Sequence, residues 1–288
     1  MKTISNGDMV FIVLDSRKRW IRKAKAGEKF MCHVGGFSWD DVIGKKEFGS
    51  YIRSKPGNMV LYLFEPLPSD IVIHMQRASQ IIYPEDIGLI LVYSNLRPGA
   101  KVVEAGCGSG SLTSIMARFV APHGHIYSFD IRDEAVKQAR KNVASMGYSD
   151  IVSIELKDFK DLEFTDIDFV MLDMGSPWVM VKKAHQILRN SGIICIFSPV
   201  VEQVIKNVAA LKEAGFADIN TYELLKRTIQ TKPNATRPES RMAGHTGYMT
   251  FARKAEWVED ITKTYLIEKN DDEESEQDEK DIDMSLFD

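Results

Sequence analysis

Residues Val102-Val103-Glu104-Ala105-Gly106-Cys107-Gly108-Ser109-Gly110-Ser111-Leu112-Thr113 constrain the fold more than any other part of the chain. An apolar strand runs into an acidic residue and then into a glycine-rich turn. A helix pattern follows at Leu112, Ile115, Met116 and Phe119. Glycines at such a turn reach φ values that other residues avoid, and they let the backbone approach a ligand closely. A turn built for pyrophosphate favours cations and bare amides, and Glu104 would repel phosphate. A carboxylate here suits a ligand that carries a cationic ammonium group and a ribose.

The next strand covers about residues 125–129 and ends in Asp130, 20 positions beyond Gly110. An acid at the tip of the second strand is the usual ligand of ribose hydroxyls in doubly wound nucleotide sites. S-adenosylmethionine has both the ammonium and the ribose that this pair of acids calls for. From Pro84 onward strands and helices alternate. A helix opens at Pro84-Glu85-Asp86 and runs to about Leu96, with proline and acids in its first turn. Strand 101–104, helix 111–119, strand 125–129, helix 133–146, strands 151–155 and 167–172, helix 177–189, strand 192–197 and helix 200–215 follow. This alternation predicts an α/β fold whose parallel sheet is covered on both faces. Strands at about 218–226 and 246–252 would close it as an antiparallel edge pair, giving a seven-stranded Rossmann-like sheet.

Residues 8–64 differ. Short strands at 8–14, 28–34 and 58–64, with glycine turns between them, predict a small β barrel or sandwich. Between the first two lies Arg17-Lys18-Arg19-Trp20-Ile21-Arg22-Lys23-Ala24-Lys25, basic residues around an aromatic. Such a hairpin suits contact with phosphates; a solvated edge charged against aggregation has the same composition. The expected division is therefore a β-rich, barrel-like domain at 1–75, a cofactor-binding domain at 76–255, and a tail at 256–288.

Charge separates these parts. The formal net charge of −4 conceals 13 Lys and Arg against 8 Asp and Glu in residues 1–80, and 3 against 14 in residues 256–288. The acidic tail has few apolar residues and is expected to be disordered. It reads as a solubilising tail, an autoinhibitory mimic of nucleic acid, or a partner peptide ending in Met284-Ser285-Leu286-Phe287. No apolar run is long enough to span a bilayer, and the N-terminus lacks the pattern of a signal peptide. Cys32, Cys107 and Cys195 are widely spaced and form no CxxC pair. They suit a reducing cytosol and give no metal signal.

Further candidates lie at strand ends. Asp158 follows the third strand of the sheet and could accept the adenine amino group of the cofactor, with Phe159 near the ring; a helix cap is the other reading. Asp173 follows Val170-Met171-Leu172 and would project into the crevice beyond the strand tips. Pro177 opens the next helix, and Trp178 offers a flat face. Arg237, Arg241 and His245 are concentrated just before the last strand, where they make a clamp for phosphate or base. Tyr83 could stack on a base or cover the cofactor.

Together, Gln80-Ile81-Ile82-Tyr83-Pro84-Glu85-Asp86, the stretch Glu104 to Thr113, Leu172-Asp173 with Pro177-Trp178, and Arg237-Pro238-Glu239-Ser240-Arg241-Met242 with Gly244-His245-Thr246-Gly247 resemble the tRNA (adenine-N1)-methyltransferases of the TrmI type. These act on the T-loop adenine at tRNA position 58, and archaeal members also use position 57. The resemblance runs to about Lys254. It implies a class I methyltransferase core with a small N-terminal β domain, a cytoplasmic homotetramer, tRNA as substrate, and no metal or membrane. Glu104, Gly106, Cys107, Gly108, Ser109, Gly110, Ser111, Leu112, Asp130, Asp158 and Asp173 would hold S-adenosyl-L-methionine, with Asp173 also the catalytic acid. Tyr83, Trp178, Arg237, Arg241, His245 and the hairpin residues Arg17, Lys18 and Arg19 would face the tRNA. The chain departs from the family pattern at one point: Gly175-Ser176 stands where members have Pro-Glu before Pro-Trp. A methyltransferase of the same fold with another substrate and a non-catalytic tRNA-binding subunit are the alternatives, and the sequence does not choose between adenines 57 and 58.

Overall fold

A computed structural model describes residues 2–76 and 80–256. The expected acidic tail lies outside the described residues, apart from Glu256. The N-terminal part holds β1 (Met9–Val13), β2 (Arg19–Lys23), β3 (Lys29–Cys32), β4 (Gly35–Ser38), β5 (Tyr51–Arg53) and β6 (Val60–Phe64). Four of these form an antiparallel sheet of order β2-β1-β6-β5, and β3 pairs with β4 in a separate hairpin. Alternating residues Val10 and Ile12 of β1 and Leu61 and Leu63 of β6 point inward, onto Phe30, Phe37 and Trp39. The ladder does not close into a barrel. A single bridge, Gly36 to Lys55, links the hairpin to the residues after β5.

α1 (Pro68–His74) and α2 (Pro84–Tyr93) lead into the larger sheet. It contains β7 (Lys101–Ala105), β8 (His125–Asp130), β9 (Val152–Leu156), β10 (Ile167–Leu172), β11 (Leu188–Ser198), β12 (Phe216–Glu223) and β15 (Tyr248–Lys254). The two-residue strands β13 (Ile229–Gln230) and β14 (Arg237–Pro238) form a small hairpin apart from it. The sheet order is β12-β15-β11-β10-β7-β8-β9. All neighbours are parallel except β15, which runs antiparallel to β11 and β12. The expected edge pair is therefore present, with β12 outermost.

α3 (Ser111–Val120), α4 (Asp133–Ser145), α5 (Val181–Ile187) and α6 (Val201–Glu213) complete the layers. Side chains alternate across each strand. Val102, Phe169 and Met171 pack with α2, α3 and α4, while Val103, Val170 and Leu172 pack with α5 and α6. Glu104 shares the α3 face with Val102. The connection after β7 crosses to β8 on one side, and β10 lies on the other. The strand order therefore reverses at β7, which puts the crevice at the carboxyl ends of β7, β8 and β10.

The helix expected at 177–189 is shorter. Pro177–Met180 is a 3₁₀ turn, and Leu188 already belongs to β11, where it pairs with Ile167. A register shift between Ile167 and Phe169 lets Arg189 to Gly192 loop within the strand, which hides the strand's start from the sequence pattern.

Candidate active site

The glycine turn after β7 is shaped by its neighbours. The Phe129 carbonyl at the end of β8 accepts the amides of Gly106 (2.8 Å) and Cys107 (3.1 Å). The Asp173 amide beyond β10 donates to Ala105 (2.9 Å), so all three strand tips are tied together. Gly106 has φ +90°, and a Cβ there would lie 2.8 Å from the Asp173 carbonyl carbon and closer still to its oxygen. Gly110 (φ 74°) begins α3 in the left-handed conformation, packed against Ala139 of α4.

Three carboxylates converge on this turn. Glu104 is 2 % exposed. Its Oε2 accepts the hydroxyls of Thr113 and Ser128, each at 2.5 Å. Burial pushes its carboxyl up to about 7, the hydroxyls oppose that shift, and the negative charges of Asp173 and Asp130 add to it. Burial likewise pushes half-buried Asp173 up to about 6, against the pull of Arg132. Burial would raise Asp130 too. There the Arg132 side chain, together with the amides of Arg132 and Gly108, outweighs burial and holds the carboxyl below its ordinary value. Arg132 makes three contacts of 3.0 Å with Asp130, two from its side chain and one from its amide, and the Gly108 amide makes one of 3.2 Å. One exposed guanidinium, paired with Asp130, thus stands against a cluster of three acids. A ligand that brings positive charge and hydroxyl donors relieves this imbalance; a phosphate worsens it.

The imbalance has a measurable consequence. The folded state raises Glu104 from 4.5 to about 7. Its contribution to stability is therefore full below pH 4.5 and is lost as pH rises through 7, and Asp173 acts in the same direction up to pH 6. Glu104→Gln keeps an oxygen for both hydroxyls. We expect the ligand-free variant to melt ~5 °C above the parent at pH 8, with the gap closing near pH 5. Calorimetric melting at both pH values checks this, and an equal gap at the two values refutes it.

Two adjoining cavities share Gly106 and Asp173 as a wall. The larger, about 490 Å³, lies between Asp130, Arg132, Asp158, Phe159, Met180 and Gln203. The smaller, about 20 Å³, lies between Gln80–Ile82 and the residues Glu104, Cys107, Gly108, Ser109, Ser111 and Leu112. Every expected cofactor residue except Gly110 lines one or the other. Gly110 acts on the backbone beneath. Asp158 also caps the turn after β9 by accepting the Lys160 amide (3.1 Å), as the helix-cap reading of that residue expects.

The expected substrate residues divide. His245 stands at the rim, with Nδ1 donating to Glu223 (2.7 Å) and Nε2 to the Pro199 carbonyl (2.9 Å). Both partners are acceptors, so both ring nitrogens carry protons, and the Glu223 contact raises the pKa of the ring. Tyr83 is half-buried at the start of α2 and lines neither cavity. Arg237 and Arg241 are exposed, on and just after β14, and also line neither. Arg17 and Lys18 sit at the tip of the β1–β2 hairpin, where Asp15 accepts their amides (2.7 and 2.8 Å), and Arg19 begins β2. Trp178 departs from expectation. It lines a separate cavity with Lys182, Lys206 and Glu213, and the Lys206 ammonium lies 4.7 Å from its ring centre. In a 3₁₀ turn residues three apart share a face. Pro177 and Met180 therefore turn inward, and Trp178 points away from the crevice.

The pattern reading missed several residues. Asp86, read as a first-turn acid, is fully buried, and burial raises its carboxyl. Arg132 stands two positions after Asp130, the one signal available for it. Asn142 left no signal: it is buried on α4, and its Nδ2 donates to Ser109 in the glycine turn (2.8 Å) and to Gln76 (2.9 Å).

This strand order, with acids at three adjacent tips, defines a class I methyltransferase. A SAM-dependent O-methyltransferase from Thermotoga maritima superposes with a TM-score of 0.83 at 28% identity, covering 90% of this chain and 97% of that one. The tRNA (m1A58) methyltransferase TrmI from Aquifex aeolicus gives 0.76 at 27% identity, over 89% and 100%. The tRNA (adenine(57)-N(1)/adenine(58)-N(1))-methyltransferase TrmI of Methanocaldococcus jannaschii is 36% identical over 84% of this chain and 94% of its own length. A tRNA (adenine(58)-N(1))-methyltransferase catalytic subunit of Dictyostelium discoideum is 31% identical over 80% and 76%. Residues 59–236 match the family described as tRNA methyltransferase complex GCD14 subunit, and the chain belongs to that family.

Proposed function

We propose that this chain transfers a methyl group from S-adenosyl-L-methionine to N1 of the T-loop adenine at tRNA position 58, and also at position 57. The observation that carries the reading is the carboxylate ring of Glu104, Asp130 and Asp173 around cavities bounded by the glycine turn. The M. jannaschii relative, whose name cites both positions, supports the choice of adenines.

The residues present fit the cofactor. Glu104 and the turn from Gly106 to Leu112 would take its amino-acid end, where an ammonium offsets buried negative charge. Asp130 would take the ribose hydroxyls once Arg132, 58% exposed, swings aside. Asp158 and Phe159 would take the adenine. When bound, the cofactor supplies an electrophilic methyl group. Asp173 then holds the reacting base by accepting a hydrogen bond from its N6 amine. The carboxylate raises electron density at N1 and stabilises the positive charge that develops there. Leaving the tRNA stack costs the base roughly a few kcal/mol, which contacts with the tRNA body offset. His245 at the rim offers those contacts a cation. Residues 1–75 act as the RNA-contacting domain and 76–255 as the catalytic one, in a cytoplasmic homotetramer whose mass light scattering would report. Among the described residues no helix is long and apolar enough to cross a membrane, and no cluster of His, Cys, Asp or Glu could hold a metal.

The test is incubation with unmodified tRNA transcript and methyl-labelled cofactor, followed by nucleoside analysis. We expect 1-methyladenosine that disappears when adenines 57 and 58 are both replaced. Label on another nucleoside, or none, overturns the reading.

A further inference from the structure

We infer that the groove between β2, α1 and α4 holds the phosphate backbone of the RNA whose base enters the crevice. The inference rests on the proposed function and names a surface for it. The groove measures about 430 Å³. Arg22 and Lys23 from β2, Lys25 beyond its end, and Lys141 on α4 stand along it, and no Asp or Glu lines it. Lys25 is already engaged by Glu28 at 3.2 Å. No ion pair among the described residues involves Arg22, Lys23 or Lys141. Lys23 and Lys141 thus face one space without a counter-charge, and Arg22, which pairs with inward-pointing Val10 and so emerges on the other face of β2, stands at its edge with Nη1 donating to the Ile21 carbonyl (2.7 Å). A polyanion that runs along the groove meets all of them and releases its own counterions.

The floor consists of isoleucine and methionine side chains. That surface suits the edge of a ribose rather than a hydrated free phosphate. The groove also adjoins the crevice. Gln76 and Asn142 line it, and the same Asn142 amide that reaches Gln76 (2.9 Å) reaches Ser109 of the glycine turn (2.8 Å). A backbone seated here lies one buried side chain away from the cofactor site.

This is not the surface the basic hairpin suggested. Arg19 pairs with Val13 and Lys23 with Met9, so the Arg17–Arg19 tip is at the opposite end of β2, ~13 Å from Lys23. The half of the stretch that faces the catalytic domain is Arg22 to Lys25.

The test compares full-length variants for affinity to unmodified tRNA transcript between about 50 and about 200 mM salt. Arg22→Gln/Lys23→Gln/Lys141→Gln should lose ~30-fold in affinity at the low end, and its log–log salt slope should fall by about 2 to 3. Calorimetric affinity for S-adenosylmethionine should stay at the parental value. Lys141→Glu, a single change on an exposed helical face, should lose ~10-fold and Lys141→Arg almost nothing, which separates charge from misfolding. Parental affinity and slope in the triple variant, with 1-methyladenosine still formed by the parent, would overturn the groove and leave the function standing. A parent that neither binds transcript nor methylates it removes both. Loss of inorganic phosphate binding with tRNA affinity unmoved would mark a small-anion site and refute the RNA assignment.

Discussion

Asp173→Ala should lower the single-turnover rate by ~10³-fold while S-adenosylmethionine affinity changes by less than ~10-fold, because the lost contact strengthens only as charge develops on the base. Asp173 is the acid that both cavities share, half-buried beyond β10 with its amide fixed to Ala105 at 2.9 Å. Its backbone position therefore survives truncation of the side chain. Asp173→Asn retains an acceptor oxygen without the charge, and should fall between alanine and the parent. Burial pushes the Asp173 carboxyl up to about 6. The reaction needs the carboxylate, so kcat/KM should fall as pH drops through 6, with a slope of one proton, and the asparagine variant should lose that limb. Rapid-quench measurement of 1-methyladenosine at saturating cofactor separates chemistry from binding. A turnover in Asp173→Ala within ~3-fold of the parent would remove this side chain from the reaction.

The contrast between Asp173 and Trp178 shows what a sequence can specify here. Acids at strand tips are legible because two periodicities meet there. An apolar run fixes where a strand ends, and a parallel sheet sends whatever follows into the crevice. Glu104, Asp130, Asp158 and Asp173 all follow that rule, and the seven strands of the large sheet follow from the same alternation. Trp178 follows Asp173 by five positions, yet its direction depends on whether the turn winds as 3₁₀ or α, which the composition of Pro177–Met180 does not encode. α1, at seven residues, is too short to display a helical period. Asn142 belongs to the polar minority of an amphipathic helix, and only the tertiary approach of the glycine turn makes it a bridge. The raised carboxyl of Glu104 was equally hidden. An acid at a strand tip can be solvated or buried, and the depth comes from α3 folding Thr113 over it.

The Gly175-Ser176 departure from the family pattern helps to define the other large effect, which concerns Gly106. Beyond Gly175 itself and its two chain neighbours, no heavy atom of the described residues lies within 4 Å of the position that a Gly175 Cβ would occupy. Gly175→Ala should therefore change cofactor affinity by less than ~2-fold. Gly106→Ala meets the opposite environment. Its φ of +90° lies where L-residues are strained, and the added carbon would intrude on the Asp173 carbonyl, a backbone group that cannot rotate away. Relief requires the β7 turn to pull back from the β10 tip. That movement would also break the paired amides that Gly106 and Cys107 donate to Phe129, at 2.8 and 3.1 Å. It would widen the wall common to both cavities. We expect at least ~100-fold weaker S-adenosylmethionine binding by calorimetry, since ~3 kcal/mol of displaced backbone suffices for that loss, and a melting point lower by several degrees. Near-parental cofactor affinity in Gly106→Ala would mean that the turn yields without consequence, and that contact between the strand tips does not set the shape of the pocket.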